Sequence, residues 1–188
     1  MDGMKKSLEL KTRRIIYNFI LSHPGMHERE ISRKLNLPLS TLDYHIYHLK
    51  KRELIVAKSD GHYTQFFAGG KIGAKDKKII ACLRKKVTRK LVMFLILNKN
   101  ANHKSIRNHL GLAGSTTSFH LNKLVSLDII EFSQIGRETK YFIKEPNYLS
   151  DLLITYRNSF FDSAVDRFVD TWLEVNPKHL KKTKKKGK

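Results

Sequence analysis

The sequence predicts a mainly α-helical chain with small β-hairpins, made of two copies of one module and a C-terminal amphipathic segment. Three observations predict it. First, STLDYHIYHL (Ser40–Leu49) returns 75 residues later as STTSFHLNKL (Ser115–Leu124). The same offset pairs Tyr44 with Phe119, His45 with His120, Ile55 with Ile130, Gly61 with Gly136, Thr64 with Thr139 and Phe67 with Phe142. Second, apolar residues in and before both stretches recur at three- and four-residue spacing, the period of a one-sided helix. Third, two alternating runs follow each stretch and flank a glycine, the pattern of a hairpin. A repeat this long is a domain, not a solenoid unit. It also argues against one composite active site, which needs different residues in its two halves.

Taken in order, the first copy opens with a helix over TRRIIYNFILSHPG. Thr12 is its expected N-cap, Ile15, Ile16, Phe19 and Ile20 its apolar stripe, and Pro24-Gly25 its stop. HEREISRKL predicts a short second helix with Ile31 and Leu35 four apart. After the break NLP, Ser40 is expected to cap a third helix that buries Leu42, Ile46 and Leu49, with His45 at the stripe's edge. ELIVAKS and HYTQFFA form a hairpin turning at Asp60-Gly61. In the second copy TRKLVMFLILN, HKSIRNHL and STTSFHLNKL are the helices, and IIEFSQ with ETKYFI the hairpin around Gly136. Upstream the offset grows by one, aligning Thr12-Arg13 with Thr88-Arg89.

Helix, helix, tight turn, helix, hairpin is the order of a winged helix-turn-helix. On these residues, over Thr12 to Ala68 and Thr88 to Ile143, the chain resembles the ArsR/MarR-like winged-helix regulators. Their third helix often reads S-T-x-S-x-H-L-x-x-L followed by a hydrophobic pair. The resemblance extends to archaeal predicted transcriptional regulators with two such domains in tandem, and it implies a DNA-binding role. The CxC-type metal motif of some ArsR-like sensors is absent. The expected organisation is one winged domain over 8–70, a basic helical linker over 71–87 and a second winged domain over 88–146. A dimerisation helix follows over 147–175, then a basic disordered tail over 176–188.

The formal charge of +20 points to a polyanionic partner: DNA, RNA or an acidic membrane surface. A single cysteine, Cys82, leaves no intramolecular disulfide and fits a reducing compartment. The longest apolar run, LVMFLIL, is too short to cross a bilayer and no signal peptide opens the chain, so a cytoplasmic, nucleoid-associated protein is expected. From Asp76 to Asp128 no acid interrupts Lys77, Lys78, Arg84, Lys85, Lys86, Arg89, Lys90, Lys99, Lys104, Arg107 and Lys123. Solvated basic faces normally mix both signs; this run favours a polyanion. Copy one instead carries Glu28, Glu30 and Asp43, so copy two is the expected main DNA-binding head.

With the apolar stripe inward, the third helix of copy one turns Ser40, Tyr44, Tyr47 and Lys51 outward, with Thr41 beside them. The copy-two face holds Ser115, Phe119, Asn122 and Ser126, with Thr116, Ser118 and Lys123 adjacent. Hydroxyls, an amide and an aromatic suit base edges and thymine methyls in the major groove of double-stranded DNA. The plain alternative is a solvated helix face. Lys104 and Arg107 are candidate phosphate contacts, and Arg137 a candidate for the minor groove. His45 and His120 are read as packing at the junction with the wing, or as phosphate contacts. A metal site at His45 and His48 is not supported, because Lys123 stands where His48 does and no cysteine or carboxylate cluster assists. GLAGST (Gly111–Thr116) lacks the lysine of a phosphate loop and follows a helix. No catalytic constellation stands out, so neither an enzyme nor a cofactor is expected.

Tyr148 to Val175 reads as one long amphipathic helix with an apolar face of Leu149, Leu152, Leu153, Tyr156, Phe160, Ala164, Phe168 and Trp172, widened by Phe161. Packing on its own domain is the plain reading; a homodimer through this helix is the expectation. Three functions compete: a sequence-specific transcription regulator, a nonspecific architectural DNA coat, and a module docking on transcription or replication machinery.

Overall fold

The computed structural model describes residues 2–59 and 63–177. The Asp60-Gly61 turn and the basic tail from residue 178 lie outside the described residues. The chain divides into two compact units, Met1–Arg84 and Lys85–Lys188.

Unit 1 runs α1 (Asp2–Ser22), β1 (Met26–His27), α2 (Glu28–Leu35), α3 (Leu39–Lys51), β2 (Ile55–Ser59), β3 (Thr64–Ala68) and α4 (Ala74–Leu83). Its core joins Ile16 and Ile20 of α1, Ile31 of α2, Leu42, Ile46 and Leu49 of α3, and Ile55 and Phe66 of the sheet. The inward stripe expected of the third helix is thus the observed one. Unit 2 repeats the order with α5 (Lys86–Leu97), β4 (Ala101–Asn102), α6 (His103–Leu110), α7 (Gly114–Ser126), β5 (Ile130–Ile135) and β6 (Glu138–Ile143). It adds α8 (Pro146–Thr155), a 3₁₀ turn at Arg157–Ser159, and α9 (Ser163–Val175). Both units are mainly helical winged helix-turn-helix folds.

The repeat extends to the backbone. Each sheet has three strands, ordered β1-β3-β2 and β4-β6-β5. Ile55 faces Ala68 in one sheet and Ile130 faces Ile143 in the other. Left-handed residues recur at the same offset: Gly25 (φ +79) with Asn100 (φ +60), Asn36 (+51) with Gly111 (+67), and Glu53 (+57) with Asp128 (+58). Asn36 and Gly111 end α2 and α6, where a left-handed residue lets the chain reverse within a few positions. The short strands β1 and β4 escaped the sequence reading because two residues carry no alternation.

Four expectations are corrected. Thr12 lies inside α1, which begins at Asp2, so it caps nothing. Ser40 is the second residue of α3; Pro38 holds the cap position, and its carbonyl accepts the Leu42 N–H at 3.0 Å. The segment read as a basic linker is mostly α4, an integral part of unit 1. Ile79, Ile80, Ala81, Cys82 and Leu83 of that helix are buried, and Gln65 Nε2 donates to the Ala81 carbonyl at 3.4 Å.

The fourth correction concerns the C-terminal segment, which is two helices and not one. Phe161 adopts φ +50, and Asp162 caps α9 by accepting the Ala164 N–H at 3.0 Å. The chain therefore folds back, α8 against α9 and α9 against α5. Leu149, Leu152, Leu153, Phe160, Phe168 and Trp172, read as a dimer face, are buried within the single chain. Tyr156 and Ala164 are half-buried, and Phe161 is exposed. An apolar stripe is satisfied as well by a neighbouring helix as by a second copy, and periodicity does not tell the two apart.

Candidate nucleic-acid interface

Packing fixes which side of α7 is free. Leu121 and Leu124 enter the core, with Thr117 buried beside them and its hydroxyl donating to the Ala113 carbonyl at 3.0 Å. The opposite side exposes Ser115, Thr116, Phe119, Asn122 and Ser126, while Ser118 and Lys123 are half-buried. Phe119 is 63% exposed, a large apolar ring held in solvent with polar groups on both sides. Lys104 and Arg107 on α6 are exposed, as is Arg137 next to Gly136 (φ +61) in the two-residue hairpin turn. His103 Nε2 and Ser118 Oγ stand 3.0 Å apart and staple α6 to α7.

In unit 1, α3 exposes Ser40, Tyr44, Tyr47 and Lys51, with Thr41 half-buried. Tyr47 is 61% exposed. Tyr44 and Tyr47 set their rings edge-on to His48, at 4.6 and 5.5 Å. That aromatic packing gives His48 a role apart from any metal. His45 is buried and His120 half-buried, each edge-on to the aromatic before it, Tyr44 at 5.2 Å and Phe119 at 5.4 Å. Burial first, then the Lys123 and Lys85 charges, hold the His120 pKa below its ordinary value. The packing reading therefore suits both histidines, and both faces present the side chains expected of them.

The acid-free run divides by use. Arg84 Nε donates to the Pro24 carbonyl at 2.8 Å within unit 1. Arg89 is buried in unit 2, where its guanidinium donates to Asp162 at 2.5 Å and lies 5.1 Å from the Phe160 ring centre. These two arginines hold the fold and do not await a polyanion. Conversely, the structure gathers a cationic group that sequence distance hid. Lys58 on the wing strand β2 feels Lys78 and Lys77 of α4; burial first, then those charges, lower its pKa. Like charges held this close are relieved by an anion. Among the described residues, no helix is long and apolar enough to cross a membrane.

No family model matches the chain. It is 34% identical over 141 residues to an uncharacterized HTH-type transcriptional regulator of Methanocaldococcus jannaschii, a match covering 75% of this chain and 35% of that protein. Among solved structures it is similar to an ArsR-like transcriptional regulator from Rhodococcus sp. RHA1, at 19% identity and TM-score 0.36, over 55% of this chain and 93% of that one. It is also similar to Lactococcus lactis ZitR in complex with DNA, at 14% identity and TM-score 0.32, over 79% and 97% of the two chains. The chain thus spans about a third of the length of the archaeal regulator to which it is similar.

Proposed function

We propose that this chain is a DNA-binding transcription regulator of the tandem winged-helix, ArsR/MarR-like kind, without enzymatic activity, acting in the cytoplasm at the nucleoid. Its winged domains lay α7, and secondarily α3, in the major groove of double-stranded DNA. Ser115, Thr116, Ser118, Phe119 and Asn122 meet base edges and thymine methyls; Lys104, Arg107 and Lys123 neutralise phosphates; Arg137 enters the minor groove. On α3, Ser40, Thr41, Tyr44, Tyr47 and Lys51 take the same stations. One observation carries the reading: the outward face of α7 exposes hydroxyls, an amide and a phenyl ring, with no acid on that helix. A relative that is an HTH-type transcriptional regulator supports it.

The regulator acts as a homodimer in this reading. Because the expected interface is largely buried within one chain, the contact falls to what the C-terminal segment leaves exposed, including Phe161 ahead of α9 and Val175 at its end. The test is binding to cognate and random duplexes across a salt series. A regulator keeps a large specific-to-nonspecific ratio at physiological salt; an architectural coat loses it.

A further inference from the structure

In unit 2, α9 packs against α5, and each helix turns one face to the same groove. From α5 come Lys90, Met93, Phe94 and Leu97; from α9 come Ala164, Arg167, Phe168 and Thr171. Both sets keep the three-four spacing of a single helix face, and each face covers two helical turns, about 10 Å. His109 of α6 also lines the groove, its ring stacked on Phe94 at 4.2 Å. The volume is about 290 Å³, near the lower end for small-molecule sites, about 300 to 1,000 Å³. The repeat does not require this groove. Unit 1 has no counterpart of α9 among its described residues, and Tyr17 and Asn18 stand where Met93 and Phe94 do.

We propose that this groove is a binding site for a small monocarboxylate with an apolar chain, of the size of octanoate. Lys90 and Arg167 take the carboxylate, and Met93, Phe94, Leu97 and Phe168 take the chain. The site goes beyond the DNA-binding reading and does not depend on it.

Charge selects the head group. No acid lines the groove. The aspartates of α9 and its cap are engaged elsewhere: Asp162 pairs with Arg89, and Asp166 and Asp170 pair with Arg157. Lys90 and Arg167 are exposed and make no ion pair among the described residues. Burial first, then the Lys90 charge, hold the His109 pKa below its ordinary value. An anion relieves such crowding of positive charge. The neutral polar side chains already bond their own helices. Asn98 Nδ2 donates to the Phe94 carbonyl and the Thr171 hydroxyl to the Arg167 carbonyl, each at 2.9 Å. Charge-assisted hydrogen bonds to a carboxylate therefore come from Lys90 and Arg167.

Shape selects the tail. Met93 and Phe168 are buried, Phe94 is half-buried and Leu97 exposed, so apolar surface continues from the floor of the groove out to solvent. An alkyl chain covers that surface; a compact anion leaves it wet. The Lys-rich residues after Pro177 carry the groove's own sign and are not its occupant.

The test is calorimetric titration of the full chain with sodium octanoate, at neutral pH and fixed ionic strength. Fluorescence of Trp172, the chain's one tryptophan, gives a second reading, because its ring stacks on Phe168 at 6.3 Å. Octanoate should bind at a single site. Octanamide lacks the charge and acetate the chain, so each should bind about tenfold or more weakly. Arg167→Gln and Lys90→Gln should each weaken octanoate severalfold, as should Leu97→Glu, which sets a negative charge at the groove. All three positions are exposed, so the fold tolerates these changes. Lys86→Gln removes the same charge from α5 outside the groove and should leave octanoate binding unchanged. Octanamide or acetate binding as well as octanoate overturns the site. So does a loss with Lys86→Gln that matches the loss with Arg167→Gln, since net charge then explains the affinity. Displacement of octanoate by an equal concentration of inorganic phosphate makes Lys90 and Arg167 a phosphate contact instead. No octanoate binding at millimolar concentration overturns the proposal outright. None of these outcomes depends on whether the chain binds a duplex.

Discussion

Asn122 on α7 and Tyr47 on α3 occupy the same station of the repeat, and both side chains are exposed. If α7 is the principal reader, Asn122→Ala removes a base-edge contact and costs about 1 to 3 kcal/mol of discrimination between cognate and random DNA. Arg107→Ala lowers affinity for every sequence, because a phosphate contact carries no base information. Tyr47→Ala costs less discrimination than Asn122→Ala. Titrations of the three variants on both duplexes check this, and specificity lost with Tyr47→Ala but kept with Asn122→Ala reverses the modules' roles. These exposed positions were legible because Leu42, Ile46 and Leu49 fix the helix phase, and phase alone decides which residues face out. The His103–Ser118 staple was not legible. It joins residues 15 apart on different helices, and only the turn between the helices brings them together.

Among the elements, α9 departs furthest from the sequence reading. Asp162 serves twice there, as the cap of α9 and as the partner of buried Arg89 on α5. Burial raises the Asp162 pKa, but hydrogen bonds from Arg89 and the Ala164 N–H outweigh it and leave the carboxyl below its ordinary value. A depressed folded pKa contributes stability above the unfolded value and loses it as pH falls through the folded one. Unit 2 should therefore lose stability below about pH 4, the unfolded range of an aspartate. Asp162→Asn should abolish that component and cost about 3 kcal/mol at neutral pH, since it strands a buried guanidinium; thermal melts at several pH values check both. Deleting 147–175 should unfold or strongly destabilise unit 2, because Phe168 and Trp172 leave with it. A truncated chain that melts like the parent in circular dichroism would contradict the packing of α9 on α5. The cap was visible in principle, as an Asp ahead of an apolar-periodic run. A continuous three-four spacing masked it, and spacing does not register a fold-back.

Across the whole molecule, binding should fall steeply with salt, and removing the Lys-rich residues after Pro177 should weaken all sequences about equally. A truncation that spares random DNA while losing one sequence, in filter-binding or anisotropy series, would contradict counterion release as its cause. The duplication itself was fully legible, since side chains and backbone keep one offset from Met26 and Ala101 onward. The boundary between units was not: the basic composition of 71–87 reads as a tether, while its buried isoleucines make α4 part of unit 1. One consequence of the matched left-handed turns remains. Because α2–α3 and α6–α7 have the same lengths and reverse at the same place, they are interchangeable cassettes in backbone terms. The staple residues, however, sit one on each helix of a pair. A graft of α7 alone onto unit 1 would leave His103 behind and set Ser118 opposite Glu28, losing the His103–Ser118 staple. To keep that staple, a grafted α7 must travel with α6.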